Sequence, residues 1–144
     1  MSGEGQALIG RMGLAAIRAG GWRPRSVGGL TMGADPVAYA IARASVDQPP
    51  ALDAVSVRKQ AKEHGTGKRV EGNFAAGDPV VVIEDVITSG GSTLQAIDAI
   101  VAEGGKVLGV LAVVDREQGG RAKLEAAGHP VIALITATQL GLRP

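Results

Sequence analysis

Cysteine is missing from the 144 residues, which excludes a disulfide framework, a thiolate metal site and a cysteine nucleophile. Aromatic side chains are nearly missing too, with Trp22, Tyr39 and Phe74 the full set. Three rings cannot furnish the stacking platform on which single-stranded nucleic acid is held. No apolar run is long enough to span a bilayer. The start shows no basic segment leading into an apolar core, so no signal peptide is expected and a cytoplasmic setting is the default. A net charge of +1 gives no overall pull toward nucleic acid or an acidic membrane, and neither is expected as a partner. Any cationic patch must be local. What the chain has in plenty is glycine, 22 residues, gathered where tight strand-to-helix turns are needed. The length suits one domain over residues 1–144.

The most informative stretch runs from Val80 to Thr93. Val80-Val81-Val82-Ile83 is a β-branched run, the composition of a strand buried on both faces of a parallel sheet. Glu84 and Asp85 follow, then Val86, Ile87 and a small-residue turn, Thr88-Ser89-Gly90-Gly91-Ser92. Leu94 to Val101 then carries helical spacing. Such a strand–turn–helix junction is where open α/β sheets bind ligands. The turn supplies hydroxyls and N–H groups at a helix start, and glycine allows the close approach a phosphate requires. Ionised carboxylates only accept hydrogen bonds, so the acidic pair suits sugar hydroxyls rather than that phosphate. A sugar phosphate satisfies both halves of the stretch.

Upstream, residues from about Ser2 to Ala19 predict a helix capped by Ser2 and ended by Gly20-Gly21. Glu4, Arg11 and Arg18 form its solvated stripe, and Leu8, Ile9, Met12, Ala15, Ala16 and Ile17 cover most of the rest. Ser26 to Asp35 reads as a short strand into a glycine-rich turn, with Asp35 as N-cap and Pro36 opening the next helix. After a strand at Leu52–Val57 comes Arg58 to Arg69, which holds five of the fifteen basic residues and one acid. Gly65 and Gly67 give that loop hinges. Lys106 to Val114 is a further buried strand ending in Asp115-Arg116; His129 starts a last strand, and Gln139-Leu140 closes in a short helix.

The stretch from Ile83 to Ser92 resembles the phosphoribosyl-diphosphate (PRPP) signature of type I phosphoribosyltransferases. The basic loop, Val-Arg-Lys-x-x-Lys-x-His-Gly from Val57 to Gly65, resembles the mobile catalytic loop of orotate phosphoribosyltransferases. The resemblance implies an α/β fold with an open, mostly parallel sheet flanked by helices. It also implies transfer of the 5-phosphoribosyl group from PRPP to orotate in pyrimidine nucleotide synthesis. On that likeness Arg58, Lys62, His64 and Asp85 are catalytic. PRPP is held by Arg58, Lys59, Lys62, His64, Glu84, Asp85, Val86, Ile87, Thr88, Ser89, Gly90, Gly91 and Ser92, and orotate by Thr88 and Arg116. Mg²⁺ is implied as cofactor, bound mainly by substrate and water with no direct protein ligand, and a homodimer with shared sites as the assembly. Gly28 to Asp35 resembles the family's diphosphate loop, where Gly33 stands at a place that is lysine in some relatives. The family's N-terminal Ser-Gly-x-x-Ser segment, which covers the orotate ring, has no counterpart in the sequence. Two alternatives remain, a phosphoribosyltransferase for another base and a non-catalytic PRPP- or nucleotide-binding regulator.

Overall fold

Val80, Val81, Val82 and Ile83 lie in the middle of a six-stranded sheet and are sealed on both faces. The computed structural model describes residues 1–65 and 67–143. Its elements, in chain order, are α1 (Gly3–Ala19), β1 (Ser26–Leu30), α2 (Asp35–Asp47), β2 (Asp53–Val57), β3 (Val70–Gly72), β4 (Pro79–Ile87), α3 (Gly91–Ala102), β5 (Lys106–Asp115), α4 (Gly120–Ala126) and β6 (Val131–Thr136). The sheet order is β3-β2-β1-β4-β5-β6, parallel throughout except for the edge strand β3, which pairs antiparallel with β2. The mostly parallel open sheet is the expected architecture.

Alternation along β4 divides the core in two. Val81 and Ile83 join Leu14 and Ile17 of α1 and Val37 and Ile41 of α2. Val80 and Val82 join Ala96, Ile97 and Ile100 of α3 and Leu124 of α4. Two of the three aromatics are spent on these cores, Trp22 on the first and Phe74 on the second. The chain winds one way from β1 through α2 to β2 and the other way from β4 through α3 to β5, so the strand order reverses between β1 and β4. The β1–β4 ladder stops at Gly28 and Val82, after which β1 continues with β2 and β4 with β5. A crevice at the carboxyl ends of the strands follows from that reversal.

Several local expectations need correction. Strand β4 does not end at Ile83 but carries the acidic pair within it and reaches Ile87, paired with Asp115. Asp35 is the first helical residue of α2, not its cap; Ala34 holds the cap position, where its methyl can accept no bond, and the Asp35 carboxylate bonds Thr31 and Ser56 instead. Arg18 is not merely solvated, since its guanidinium donates to the Pro50 carbonyl at 3.0 Å. Residues 137–141 form turns and not a helix.

Helix α1 begins as expected, with Ser2 accepting from the Gly5 N–H at 3.0 Å. Its buried face is different from the one the apolar residues suggested. Leu8 and Met12 are about half exposed, while Gly10, Gly13, Leu14 and Ile17 face inward. A Cβ on Gly10 would fall 2.4 Å from the Ala40 carbonyl oxygen of α2, and one on Gly13 would strike Ile41. The two helices therefore approach backbone to backbone through glycine. Gly10→Ala is expected to cost about 1–3 kcal/mol through overpacking. Gly3→Ala, with nothing within 4 Å of the new methyl, should leave stability unchanged or slightly higher. Urea unfolding of the two variants checks the contrast, and equal midpoints would refute it.

Candidate active site

Four neighbouring strands end at the crevice, and each brings one of the motifs read from the sequence. Strand β2 launches the basic loop, β1 runs into the turn at Thr31–Ala34, β4 leads to the hydroxyl-rich turn, and β5 ends beside Arg116. The Thr31 N–H donates to the Val57 carbonyl at 2.8 Å, and the Arg116 N–H to the Ile87 carbonyl at 3.0 Å. These bonds hold adjacent motifs side by side.

The two acids of the pair have different neighbours. Glu84 shares the face of Val80 and Val82 and points at α3, where its Oε2 accepts from the Ser92 and Thr93 hydroxyls, both at 2.8 Å. Asp85 lies against the β1–α2 turn, with its carboxyl still near that of Glu84. A Cβ on Gly33 would lie 3.0 Å from both Asp85 carboxylate oxygens, so the turn passes directly over that carboxylate. Glu84 is 7% exposed and Asp85 only half-buried. Burial raises the Glu84 pKa above the ordinary glutamate value, and the Asp85 carboxyl adds to the rise; the two hydroxyls pull it back.

The turn after β4 is shaped by glycine. Gly90 has φ +86° at the N-cap of α3, with no side chain capping the helix. The exposed Thr88 and Ser89 hydroxyls flank a helix start whose first N–H groups lack intrahelical partners. Ser92, by contrast, directs its only hydroxyl proton to Glu84. Val86 is partly exposed and Ile87 is core. Gly120 donates its N–H to the Thr88 carbonyl at 3.0 Å, and a Cβ there would fall 2.4 Å from that oxygen. Thr88 and the Arg116 segment are thus brought together. The Arg116 Nε is buried and has no hydrogen-bond partner among the described residues. A guanidinium N–H left unsatisfied in this way calls for an acceptor from outside the chain.

The basic loop projects from the other end of the row. Arg58, Lys59, Lys62 and His64 are exposed, and Arg58 and Lys62 approach Glu71 of β3 at 3.5 and 3.7 Å. An open cleft runs between this loop and Thr31 and Ser56.

No family model matches the chain. Over 137 residues it is 42% identical to the orotate phosphoribosyltransferase of Aquifex aeolicus, an alignment spanning 95% of this chain and 74% of that one. The chain belongs to the orotate phosphoribosyltransferase family. The family enzyme of Mycobacterium avium is 46% identical over 136 residues, covering 94% of this chain and 73% of its own. The crystal structure of Mycobacterium tuberculosis orotate phosphoribosyltransferase in complex with PRPP superposes with a TM-score of 0.80 at 39% identity, covering 94% of this chain and 75% of that one.

In this member of the orotate phosphoribosyltransferase family two supporting residues, Glu117 and Glu103, escaped the sequence reading, and a third, Asp35, was expected as an N-cap and has another task. Asp35 accepts from the Thr31 and Ser56 hydroxyls, each at 2.7 Å, tying the β1 turn to β2. Glu117 sits at φ +58° and takes both the N–H and the hydroxyl of Thr138, at 2.7 and 2.6 Å. These bonds hold its carboxyl below the usual glutamate range. Glu103 receives backbone donors from the far end of the basic loop. Of the two missed residues only Glu117 carried a signal, its place directly after Arg116.

Glu84 generates a stability prediction with a definite sign. A carboxyl whose pKa is raised by folding favours the native state below its unfolded value, and that contribution is lost as pH rises through the folded value. Glu84→Gln keeps an acceptor for both hydroxyls without the buried charge. The variant should match or exceed the parent's melting temperature at pH 7, and lose that advantage below the ordinary glutamate pKa. Thermal melts across pH check it, and a clearly lower melting temperature at pH 7 would contradict it.

Proposed function

We propose that this crevice transfers the 5-phosphoribosyl group of PRPP to orotate, giving orotidine 5′-monophosphate and diphosphate. The observation that carries the reading is the order of motifs along the strand ends: cations on β2, backbone turn on β1, acids and phosphate-type turn on β4, orphaned guanidinium on β5. PRPP needs that order, since its 5-phosphate and diphosphate lie at opposite ends of the sugar and the base must enter beside the anomeric carbon. Arg116 and Thr88 lie where an anionic base meets the ribose. A guanidinium matches carboxylate geometry in a way an ammonium does not.

Each group then has a task. The Thr88 and Ser89 hydroxyls and the N–H groups from Gly90 to Ser92 bind the 5-phosphate. Glu84 holds the Ser92 and Thr93 hydroxyls and so fixes the start of α3. Asp85 receives the ribose hydroxyls and offsets the charge of an oxocarbenium-like transition state. The Gly33 turn offers main-chain donors to the diphosphate. Arg58, Lys59, Lys62 and His64 close over the departing diphosphate, whose growing charge is the largest electrostatic demand of the step. Closure also excludes water that would otherwise hydrolyse PRPP. The oxygens of PRPP are hard donors of the kind Mg²⁺ takes, so the ion would be held mainly by substrate and water, with no direct protein ligand. When bound, Mg²⁺ neutralises the diphosphate. The residues 1–144 act as one phosphoribosyltransferase unit, and two copies share their sites through the basic loop.

The direct test offers PRPP and Mg²⁺ with orotate, uracil, adenine or hypoxanthine and follows diphosphate release. Orotate alone should drive it, and release driven by another base but not by orotate would overturn the assignment. Arg116→Met should raise the KM for orotate about tenfold or more and leave that for PRPP within about twofold. An unchanged orotate KM would remove Arg116 from the base site.

Sharing of sites has its own test. Asp85→Asn is expected to lose roughly tenfold or more in turnover, and Lys62→Ala likewise. If the loop serves the partner's site, subunit exchange between the two variants yields hybrids with one intact site, and activity returns. Hybrids verified by mass that stay inactive would place the loop in its own subunit's site.

A further inference from the structure

The basic loop does not leave the sheet freely. At its base the Arg58 N–H donates to the Arg69 carbonyl at 2.8 Å, one step past the Val57–Val70 pair that ends the β2–β3 ladder. The Arg69 side chain folds back across this opening, its Nε on the Arg58 carbonyl and Nη2 on the Lys59 carbonyl, both at 2.9 Å. On the other side, Glu103 Oε2 accepts the N–H groups of Arg69 and Val70, at 2.8 and 3.2 Å. Both strands of the stem are thereby pinned, one by a guanidinium and one by a carboxylate.

Glu103 is an unfavourable residue for its position. It caps the C-terminus of α3, where exposed carbonyls and the helix dipole disfavour an acid. Its Oε1 is buried with no hydrogen-bond partner among the described residues, a further cost. A residue that breaks two local rules points to a task beyond helix stability. Helix α3 also begins at the turn assigned to the 5-phosphate. Its 12 residues, about 18 Å at the α-helical rise, make one rigid rod with the phosphate turn at one end and the loop clamp at the other.

We propose that Glu103 and Arg69 are positioning residues for the phosphoribosyl transfer. They fix the base of the basic loop, so that Arg58 and Lys59 leave the sheet in one direction, toward PRPP. The proposal rests on the reading of the loop as the diphosphate-binding element. Neither residue touches substrate, and both act through the loop backbone.

The test uses the full chain with Glu103→Ala, Glu103→Gln and Arg69→Met. Glu103→Ala should lower kcat about tenfold, with the orotate KM within about twofold because the base site lies across the crevice. Glu103→Gln keeps an oxygen for both N–H groups and should recover to within about threefold of the parent. Tryptic cleavage after Lys62 and Lys68, mapped by mass, should speed up in Glu103→Ala, and PRPP should protect it less than it protects the parent. Should Glu103→Ala fail to fold, Arg69→Met gives the same readouts, with melting temperature as the folding control. Parent-like turnover and cleavage in a folded variant overturn the proposal, and so does Glu103→Gln as impaired as Glu103→Ala. A parent chain that transfers nothing to orotate refutes the functional reading alone, because the cleavage assay reports on the clamp without turnover.

Discussion

The parallel pairing of β1 with β4 is the constraint on which the rest depends. It is a short ladder, from Ser26–Val80 to Gly28–Val82, with a helical connection departing from each strand in opposite directions. Beyond Gly28 and Val82 the two strands part company, each keeping only its outer neighbour. The crevice is the space left by that separation. Gly29 shows how tightly its floor is built, for a Cβ there would fall 2.0 Å from the Ile83 carbonyl. No side chain fits at Gly29, and the candidate site residues stand on the rim.

The rim is held by hydrogen bonds that join one strand end to the next. Asp35 ties β1's turn to β2, Glu84 ties β4 to α3, and Glu117 ties the Arg116 segment to the turn after β6. Each tie is a carboxylate taking two donors, at least one of them from another segment, a stronger arrangement than neutral pairs supply. Acids are thus spent on building the site as much as on acting in it. This division explains how a chain with 14 acids and 15 lysines and arginines can maintain a cationic loop next to a carboxylate without a large net field.

Much of this was legible in the sequence because the relevant signals are local. Val80–Ile83, the acids behind it and the Thr88–Ser92 turn are contiguous, and contiguity fixes their geometry once the strand is recognised. The basic loop and Arg116 were legible by likeness to a family, which the identities to known relatives bear out at the level of the family. What stayed hidden was long-range. Which hydroxyls Glu84 would hold, those of Ser92 and Thr93, depends on the placement of α3 and could not be read from the strand alone. Asp35 looked like a cap because caps are local, yet its partners are Thr31 and a residue 21 positions on. The packing face of α1 was misjudged since glycine carries no hydropathy signal, and close backbone approach is visible only once α2 is in place. Glu103 and Arg69 meet across 34 residues, beyond any motif.

Strand β3 gives the basic loop an unusual architectural status. Its antiparallel return makes the segment from Arg58 to Arg69 the tip of a hairpin on the sheet's edge, in a fold whose other connections are crossovers. A hairpin tip can be lengthened without moving any parallel strand. The entropy of closing it grows only logarithmically, about 0.6 kcal/mol for each doubling. Reach and charge over the crevice are therefore the properties this fold can alter most cheaply in evolution. The parallel core, sealed on both faces, offers no comparable freedom.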